Sequence, residues 1–453
     1  MMPSNVIQMS QPLFEAVTQT SDLFKPDDDQ LAIELSKAFA DDVSFFYNSW
    51  RSYQSGVWAS RDNAEMRRYI RTQLRKYRAK GVQVSQRRIT SIAAMLEDDL
   101  FISDRKIIET FPEQRRYVNL RNGLFNLESM ELEPHRPDLY FTSQLDFDYD
   151  PDADCPTFSK YLTSSLVYED TGKPDPDLIM LMKQALGYSM TARTDLKLSF
   201  WLIGKKDSGK STFVSLLKNL FGSLYGTIDM NQLGTNRFLL AGIVGKRVIG
   251  FTEGSSNTFL PDGLYKALVG GSDEIYADVK NRDAIAFVPE CKVWWAMNDG
   301  QLPRISDRSG ATTRRIVIIP FNRSIPENKR IQNLEQLLMR ERAGIFNEMV
   351  FGYKCILNGR TFDKCEQSNA AREQYIMEND TEMTYIEERG ETHESYRITS
   401  AALYQDYSSW CMERGFKPKN INQLAGEWRR LGFVHERSNG AWWRGVRLKQ
   451  IAN

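Results

Sequence analysis

Apolar positions follow two periods along this chain. Leu198 and Phe200 to Ile203 form a short, nearly unbroken apolar run of buried-strand type. Phe213, Leu216, Leu217 and Leu220 then recur at helical spacing, so the segment predicts strand, loop and helix in succession. Apolar runs within 245–253 and 292–298, and from Ile316 to Ile319, predict further buried strands. Ahead of them, Leu31, Ile33, Leu35 and Phe39 mark an amphipathic helix, and Trp50, Tyr53, Gly56 and Trp58 a small hairpin in an otherwise α-rich region. Toward the other end, Thr399 or Ser400 caps a helix with Leu403, Tyr407 and Trp410 on one face, stopped by Gly415. Asn420 caps a second with Leu424, Trp428 and Leu431, stopped by Gly432. Phe433 to Arg437, the Ser438-Asn439-Gly440 turn and Trp442 to Leu448 read as a hairpin. Helix, helix and hairpin is the order of a winged helix.

These periods predict an α/β chain. An α-rich, collar-like N-terminal domain is expected over 1–150 and an α/β core over 151–330, with a helical lead-in over 151–195. A helical lid or linker is expected over 331–394 and the winged helix over 395–453. The length of 453 residues agrees, since it suggests about three domains. No run approaches the ~18 apolar residues of a membrane helix, and the first residues have neither the apolar core of a secretory signal nor the arginines of a transit peptide. A cytoplasmic protein without a membrane partner is expected. Five scattered cysteines and three histidines argue against a zinc cluster or a disulfide framework. Alternating aspartates from Asp146 to Asp154 begin like a calcium loop but lack its glycine and closing glutamate, so a linker is the better reading. Asp27, Asp28 and Asp29 suit a helix N-terminus better than a metal.

Charge sums to zero, with 59 Lys+Arg against 59 Asp+Glu, which speaks against a protein coated in nucleic acid but leaves room for one that holds DNA in a lined channel. The distribution is uneven, however. Residues 61–88 carry a local balance of +8 and residues 412–450 one of +6, each either a solvated face or a nucleic-acid contact.

The segment with the most specific chemistry is Gly204, Lys205, Lys206, Asp207, Ser208, Gly209, Lys210 and Ser211, which fits GxxxxGK[ST] between a predicted strand and helix, with Thr212 next to it as a further nucleotide-binding candidate. Glycines let backbone N–H groups wrap phosphates, Lys210 reaches the β and γ phosphates, and Ser211 suits magnesium. ATP and Mg2+ are therefore the expected ligands. About forty residues on, the strand within 245–253 ends in Glu253, where a carboxylate would join the magnesium shell or orient the attacking water. The strand 292–298 ends in Asn298, suited to holding that water or the γ-phosphate. Arg314 and Arg315 precede the last strand, where a guanidinium could stabilise transition-state charge in a neighbouring subunit.

The order of these motifs, with Leu268 to Asp273, a basic segment and Pro320-Phe321, resembles the superfamily III helicases. Within these it is most similar to the helicase part of phage and plasmid primase-helicases, related to the poxvirus primase-helicase. Asn119 to Leu127, Pro134 to Asp138 and Asp148 to Pro151 extend the resemblance into the preceding domain, and the Trp/Arg-rich end extends it to the terminal one. The resemblance implies an AAA+-type P-loop core, a homo-hexameric ring, ATP hydrolysis, and translocation on single-stranded or forked DNA during replication of a phage, plasmid or other mobile element, in a bacterial host's cytoplasm. It implies that Lys210 and Ser211 serve ATP and magnesium, Glu253 the Walker B role, Asn298 the sensor role, and Arg314 or Arg315 the arginine finger. Thr252 stands where many relatives have a first acid, which leaves Glu253 as metal ligand, general base or both. Lys280 and Arg282 fall where the family has a hairpin in its central channel, and would grip the DNA backbone. Arg429, Arg430 and Arg444, with Arg437 and Arg447, would face DNA from the winged helix. No primase domain is legible upstream, so a separate primase or polymerase is expected as a partner. An origin-binding initiator without processive unwinding and a nucleic-acid-sensing interaction ATPase are the rival readings.

Overall fold

The computed structural model describes residues 25–39, 41–254, 258–271, 273–278, 284–305, 307, 310–359, 361–414, 416, 418–437 and 440–449. The chain divides into two compact units, one of residues 1–124 and 133–144 and one of residues 125–132 and 145–453.

In the first unit, Asp28–Phe39, Asn63–Lys76, Gln86–Asp99 and Asp104–Gln114 are helices, as the α-rich pattern predicts. Asp62 and Glu65 close a capping box at the start of Asn63–Lys76, and Ser85 and Ser103 cap the two later helices. Leu31, Leu35, Met66, Ile70, Leu74, Ile89, Ile92 and Leu96 meet in one core around Trp50. The expected hairpin is a three-stranded antiparallel meander, Val43–Phe46, Ser49–Gln54 and Val57–Arg61. Its extra strand is VSFF, too short to show a period in the sequence.

The second unit is built on a parallel five-stranded sheet. Its strands are β1 (Ser199–Gly204), β2 (Tyr225–Gly226), β3 (Val248–Phe251), β4 (Lys292–Asn298) and β5 (Ile316–Phe321), in the spatial order β5-β1-β4-β3-β2. Both faces of this sheet are covered, which is why the strands read as unbroken apolar runs. Phe200 and Trp294 pack with Tyr188, Phe213 and Phe362, whereas their neighbours Trp201 and Trp295 pack with Tyr265, Tyr375 and Phe251. Helices Pro156–Ser165 and Pro176–Met190 form the helical lead-in. The second of these lies tightly on helix Arg342–Gly359: a Cβ at Gly187 would collide with Met349 O, and one at Gly352 with Lys183 O.

Helices continue through Leu334–Arg340, Arg342–Gly359, Glu366–Glu378 and Thr381–Arg389. The strand Gly390–Thr399 then joins the C-terminal hairpin Val434–Arg437 and Ala441–Leu448 in a three-stranded sheet, with helices Ser400–Glu413 and Ile421–Arg430 between. Thr399 and Asn420 cap these helices, as expected. Their core joins Leu403, Tyr407, Trp410, Leu424, Trp428 and Trp443 to Tyr385 and Ile386, so the packed module reaches back before residue 395. No helix among the described residues is long and apolar enough to cross a membrane.

Lys292 opens β4 inside this core. Its ammonium donates to the carbonyls of Thr191 and Glu290 and lies 4.9 Å from the Tyr188 ring centroid. Burial pushes its pKa down to about 7, with Arg247 acting in the same direction. The folded chain thus sheds this proton near pH 7, while an unfolded lysine keeps it to roughly pH 10.4. The penalty of burying the charge is full below pH 7 and falls away as pH rises toward 10. Between pH 7 and 9 the stability gained from this site amounts to at most about 3 kcal/mol. Melting curves of wild type should climb more steeply over that interval than those of Lys292→Met; parallel curves would show that Lys292 titrates as an ordinary lysine.

Candidate active site

The loop between β1 and helix Lys210–Phe221 has a backbone that its sequence explains. Gly204 has φ +148° and Gly209 φ +102°, conformations that side-chain-bearing residues rarely adopt. A Cβ on Gly204 would collide with Phe321 O, and one on Gly209 would come within 3.1 Å of Ser165 Oγ and 3.2 Å of the Tyr161 ring. Asp207 takes the left-handed conformation between them, at φ +60°.

Groups distant in sequence brace the arch. Tyr161 donates its hydroxyl to Gly209 O at 2.9 Å, Ser324 Oγ donates to Lys206 O at 2.6 Å, and Ile325 N donates to Asp207 O at 2.9 Å. Arg330 pairs with Asp207 at 3.3 Å. Lys205 and Lys206 are exposed, and Lys205 reaches Glu169 at 3.4 Å. Ser208 is buried, Ser211 is exposed at the start of the helix, and Thr212 is half-buried.

Lys210 is buried beneath this arch. Its Nζ donates to Gly204 O (2.8 Å), Lys205 O (2.6 Å) and Ser208 Oγ (3.2 Å). Burial lowers its pKa, while the carboxylates of Asp299 and Asp207 oppose the shift. A cation held under a glycine arch at a helix N-terminus suits a bound polyphosphate, because backbone N–H groups and the ammonium converge on one anion.

Strand register brings the other candidates to the same edge of the sheet. Asn298 on β4 pairs with Gly204 on β1, and Trp295 pairs with Phe251 on β3, which sets Glu253 level with Met297. The carboxyl ends of β1, β4 and β3 therefore present Lys210, Asn298 and Glu253 side by side, at the edge where ligands of parallel sheets bind. Trp295 Nε1 holds the Glu253 carbonyl at 2.8 Å, and Asn298 Nδ2 donates to Gln301 Oε1 at 3.3 Å. Asn298 and Glu253 are exposed.

Sequence reasoning missed Asp299. It follows Asn298, donates its N–H to Gly204 O at 3.4 Å, and acts electrostatically on Lys210. Its position directly after a strand ending in Asn298 was the available signal. A cavity of about 240 Å³ opens beside the loop, between Lys205, Asp299 and Asn322 on one side and Gln374, Tyr375 and Glu378 on the other.

Arg314 and Arg315 stand elsewhere. They lie in a turn of 3-10 helix, Thr313–Arg315, just before β5, whose first residue, Ile316, pairs with Ser199 at the start of β1. They are thus separated from the loop by the length of β1, roughly 20 Å. The two are not equivalent. Arg314 is exposed, with Nε donating to Gly310 O at 3.2 Å, whereas Arg315 is half-buried and its guanidinium donates to Ala311 O.

Lys280 and Arg282 lie outside the described residues; the strands Ile275–Ala277 and Ile285–Phe287, which flank them in sequence, form an antiparallel pair. In the C-terminal module, Arg430 bridges Asp380 and Glu427, both at 2.7 Å, and Arg444 pairs with Glu436 at 3.2 Å. Arg429 is exposed, its guanidinium 6.0 Å from the Trp443 ring centroid.

Residues 35–166 match the family described as D5 N terminal like, and residues 202–315 match a family of unknown function (DUF5906). A protein of the Sputnik virophage named "Putative helicase V13" is 22% identical over 230 residues, covering 48% of this chain and 28% of that protein. The chain thus spans little more than a quarter of that curated relative's length. Among solved structures, the A form of the apo C-terminal region of NrS-1 is similar with a TM-score of 0.50 at 13% identity, over 93% of this chain and 100% of that one. Another apo structure of that region, spanning 305–718, covers 94% of this chain and 100% of that one, with a TM-score of 0.48 at 12% identity.

Proposed function

We propose that this chain, a member of the phage primase-helicase-like family, is an ATP-driven DNA helicase that works as a homo-hexameric ring on single-stranded and forked DNA. The observation that carries the reading is the single sheet edge on which Lys210, Asn298 and Glu253 stand together while Arg314 stands at the other end. The strand order 5-1-4-3-2, with the phosphate loop on β1 between β5 and β4, supports an AAA+-type core. The strand-helix-helix-hairpin order after Gly390 supports a winged helix.

Each residue then has a task at the γ-phosphate. The backbone N–H groups of the arch and Lys210 Nζ hold the β and γ phosphates. Reaching them requires the ammonium to exchange its bonds to Gly204 O and Lys205 O for bonds to phosphate oxygen, a change of partner without a change of place. Ser211 Oγ and Glu253 would hold magnesium, which when bound neutralises charge on the transferring phosphoryl group. Glu253 also orients the attacking water by accepting its hydrogen bond, and Asn298 fixes that water or the γ-phosphate through its amide. Arg314 is too far from its own loop to serve it, so it completes the site of a neighbouring protomer. Such head-to-tail contacts form a ring when the rotation closes.

DNA enters the reading through placed cations. Lys280 and Arg282 grip the backbone in the channel, and Arg429 offers a guanidinium from the C-terminal module. Arg430 and Arg444 can join only by releasing Asp380, Glu427 and Glu436. A forked duplex tests the reading: ATP-dependent displacement of one strand is expected, whereas origin-selective binding without displacement would make the chain an initiator.

A further inference from the structure

The +8 balance of residues 61–88 is not a mixed ionic surface. Its two carboxylates are spent on backbone: Asp62 accepts from Glu65 N–H at 2.6 Å, and Glu65 accepts from Asp62 N–H at 3.1 Å. The cations at its borders are also engaged. Arg61 donates to Ser52 and Gln54, and Arg88 pairs with Asp28 at 2.5 Å.

Between them stand six arginines with no carboxylate partner among the described residues. Met66, Ile70 and Leu74 turn the apolar face of helix Asn63–Lys76 into the core, which sends its arginines outward. Arg68, Arg75, Arg78 and Arg87 are exposed and Arg67 and Arg71 half-buried, and none of the six is ion-paired among the described residues. Arg71 donates only to the neutral amide of Gln86, at 3.4 Å. Arg67, Arg71 and Arg75 follow one another at four-residue intervals, about 6 Å apart along the helix. Like charges so spaced destabilise a helix by a few tenths of a kcal/mol per pair.

We infer that this face of the first unit is a second nucleic-acid contact, taking the phosphodiester backbone of a DNA strand. A linear row of guanidiniums matches a linear row of phosphates, and each planar fork suits phosphate oxygens. A lipid surface fits less well, because no large apolar side chain is exposed between residues 61 and 90 to enter it. Contacts of this kind read charge and not sequence. The choice of DNA as the polyanion rests on the motor reading; the presence of the contact does not.

The full chain carrying Arg68→Gln, Arg75→Gln and Arg78→Gln tests the contact. With no nucleotide present, fluorescence anisotropy on a labelled single-stranded oligonucleotide should show affinity reduced at least tenfold at low salt. The plot of log affinity against log salt should flatten by about 2, at roughly 0.7 for each phosphate no longer neutralised. An RNA oligonucleotide of the same length should lose affinity alike, since the recognition is of phosphate. Hydrolysis of ATP without DNA reports on the motor separately, and should be unchanged. Affinity and salt slope equal to wild type would overturn the contact, whatever the ATPase rate. So would a variant that loses binding to anionic vesicles while keeping its grip on DNA.

Discussion

Lys210→Ala should leave this chain folded and able to assemble but unable to hydrolyse ATP. The ammonium is the one cation buried under the glycine arch among the described residues, and its three present partners are groups of the arch itself. Removing it deletes the charge that follows the γ-phosphoryl into the transition state, while Tyr161, Ser324 and Ile325 still hold the backbone. Loss of one such preorganised group costs about 10²–10³ in rate. Phosphate release should fall by at least that factor, and the melting temperature should stay within a few degrees. Undiminished release would remove the loop from the mechanism.

The second large effect is expected at Arg314. If it completes a neighbour's site, Arg314→Ala should lower kcat by about 10³–10⁵ while nucleotide still binds. Arg315→Ala should behave differently: its guanidinium is half-buried and bonded to Ala311 O, so stability should suffer more than kcat. Mixing makes the distinction sharp. Arg314→Ala protomers keep an intact loop and Lys210→Ala protomers keep an intact finger, so a mixed ring regains some complete sites. Hydrolysis by the mixture above the sum of its parts is the expected result. A mixture as inactive as its components would refute the placement of Arg314 in a neighbour's site.

The parts of this site that were legible in sequence are those whose cause is local. Gly204 and Gly209 are demanded by positive φ and close approach, Lys210 belongs to the GxxxxGK[ST] pattern, and the strands show as apolar runs. Glu253 and Asn298 were legible because Asn298 closes a buried strand and Glu253 follows one by two residues, and the parallel pairing of β4 with both β1 and β3 did the rest. What stayed hidden is non-local. Tyr161 under Gly209, Trp295 on Glu253 O and Arg330 on Asp207 join segments 42 to 123 residues apart, with no motif to announce them. The choice between Arg314 and Arg315 depends on which side of one short turn faces solvent. Arg430 looked like a DNA contact because its partner Asp380 lies on another segment. The strand Gly390–Thr399 escaped for a different reason. Its sequence GETHESYRIT is polar on both faces and its pairing is interrupted between Thr392 and Arg397, so no period marks it.

The proposed motor has its phosphate chemistry at the carboxyl edge of one sheet and its finger at the opposite edge. Strand displacement measures that claim most directly. Purified chain is incubated with a labelled forked duplex and ATP, beside Lys210→Ala prepared identically. Release of the labelled strand by wild type, none by the variant, and none by wild type without ATP is the expected result. Tight fork binding and ATP hydrolysis by wild type without any strand release would contradict it.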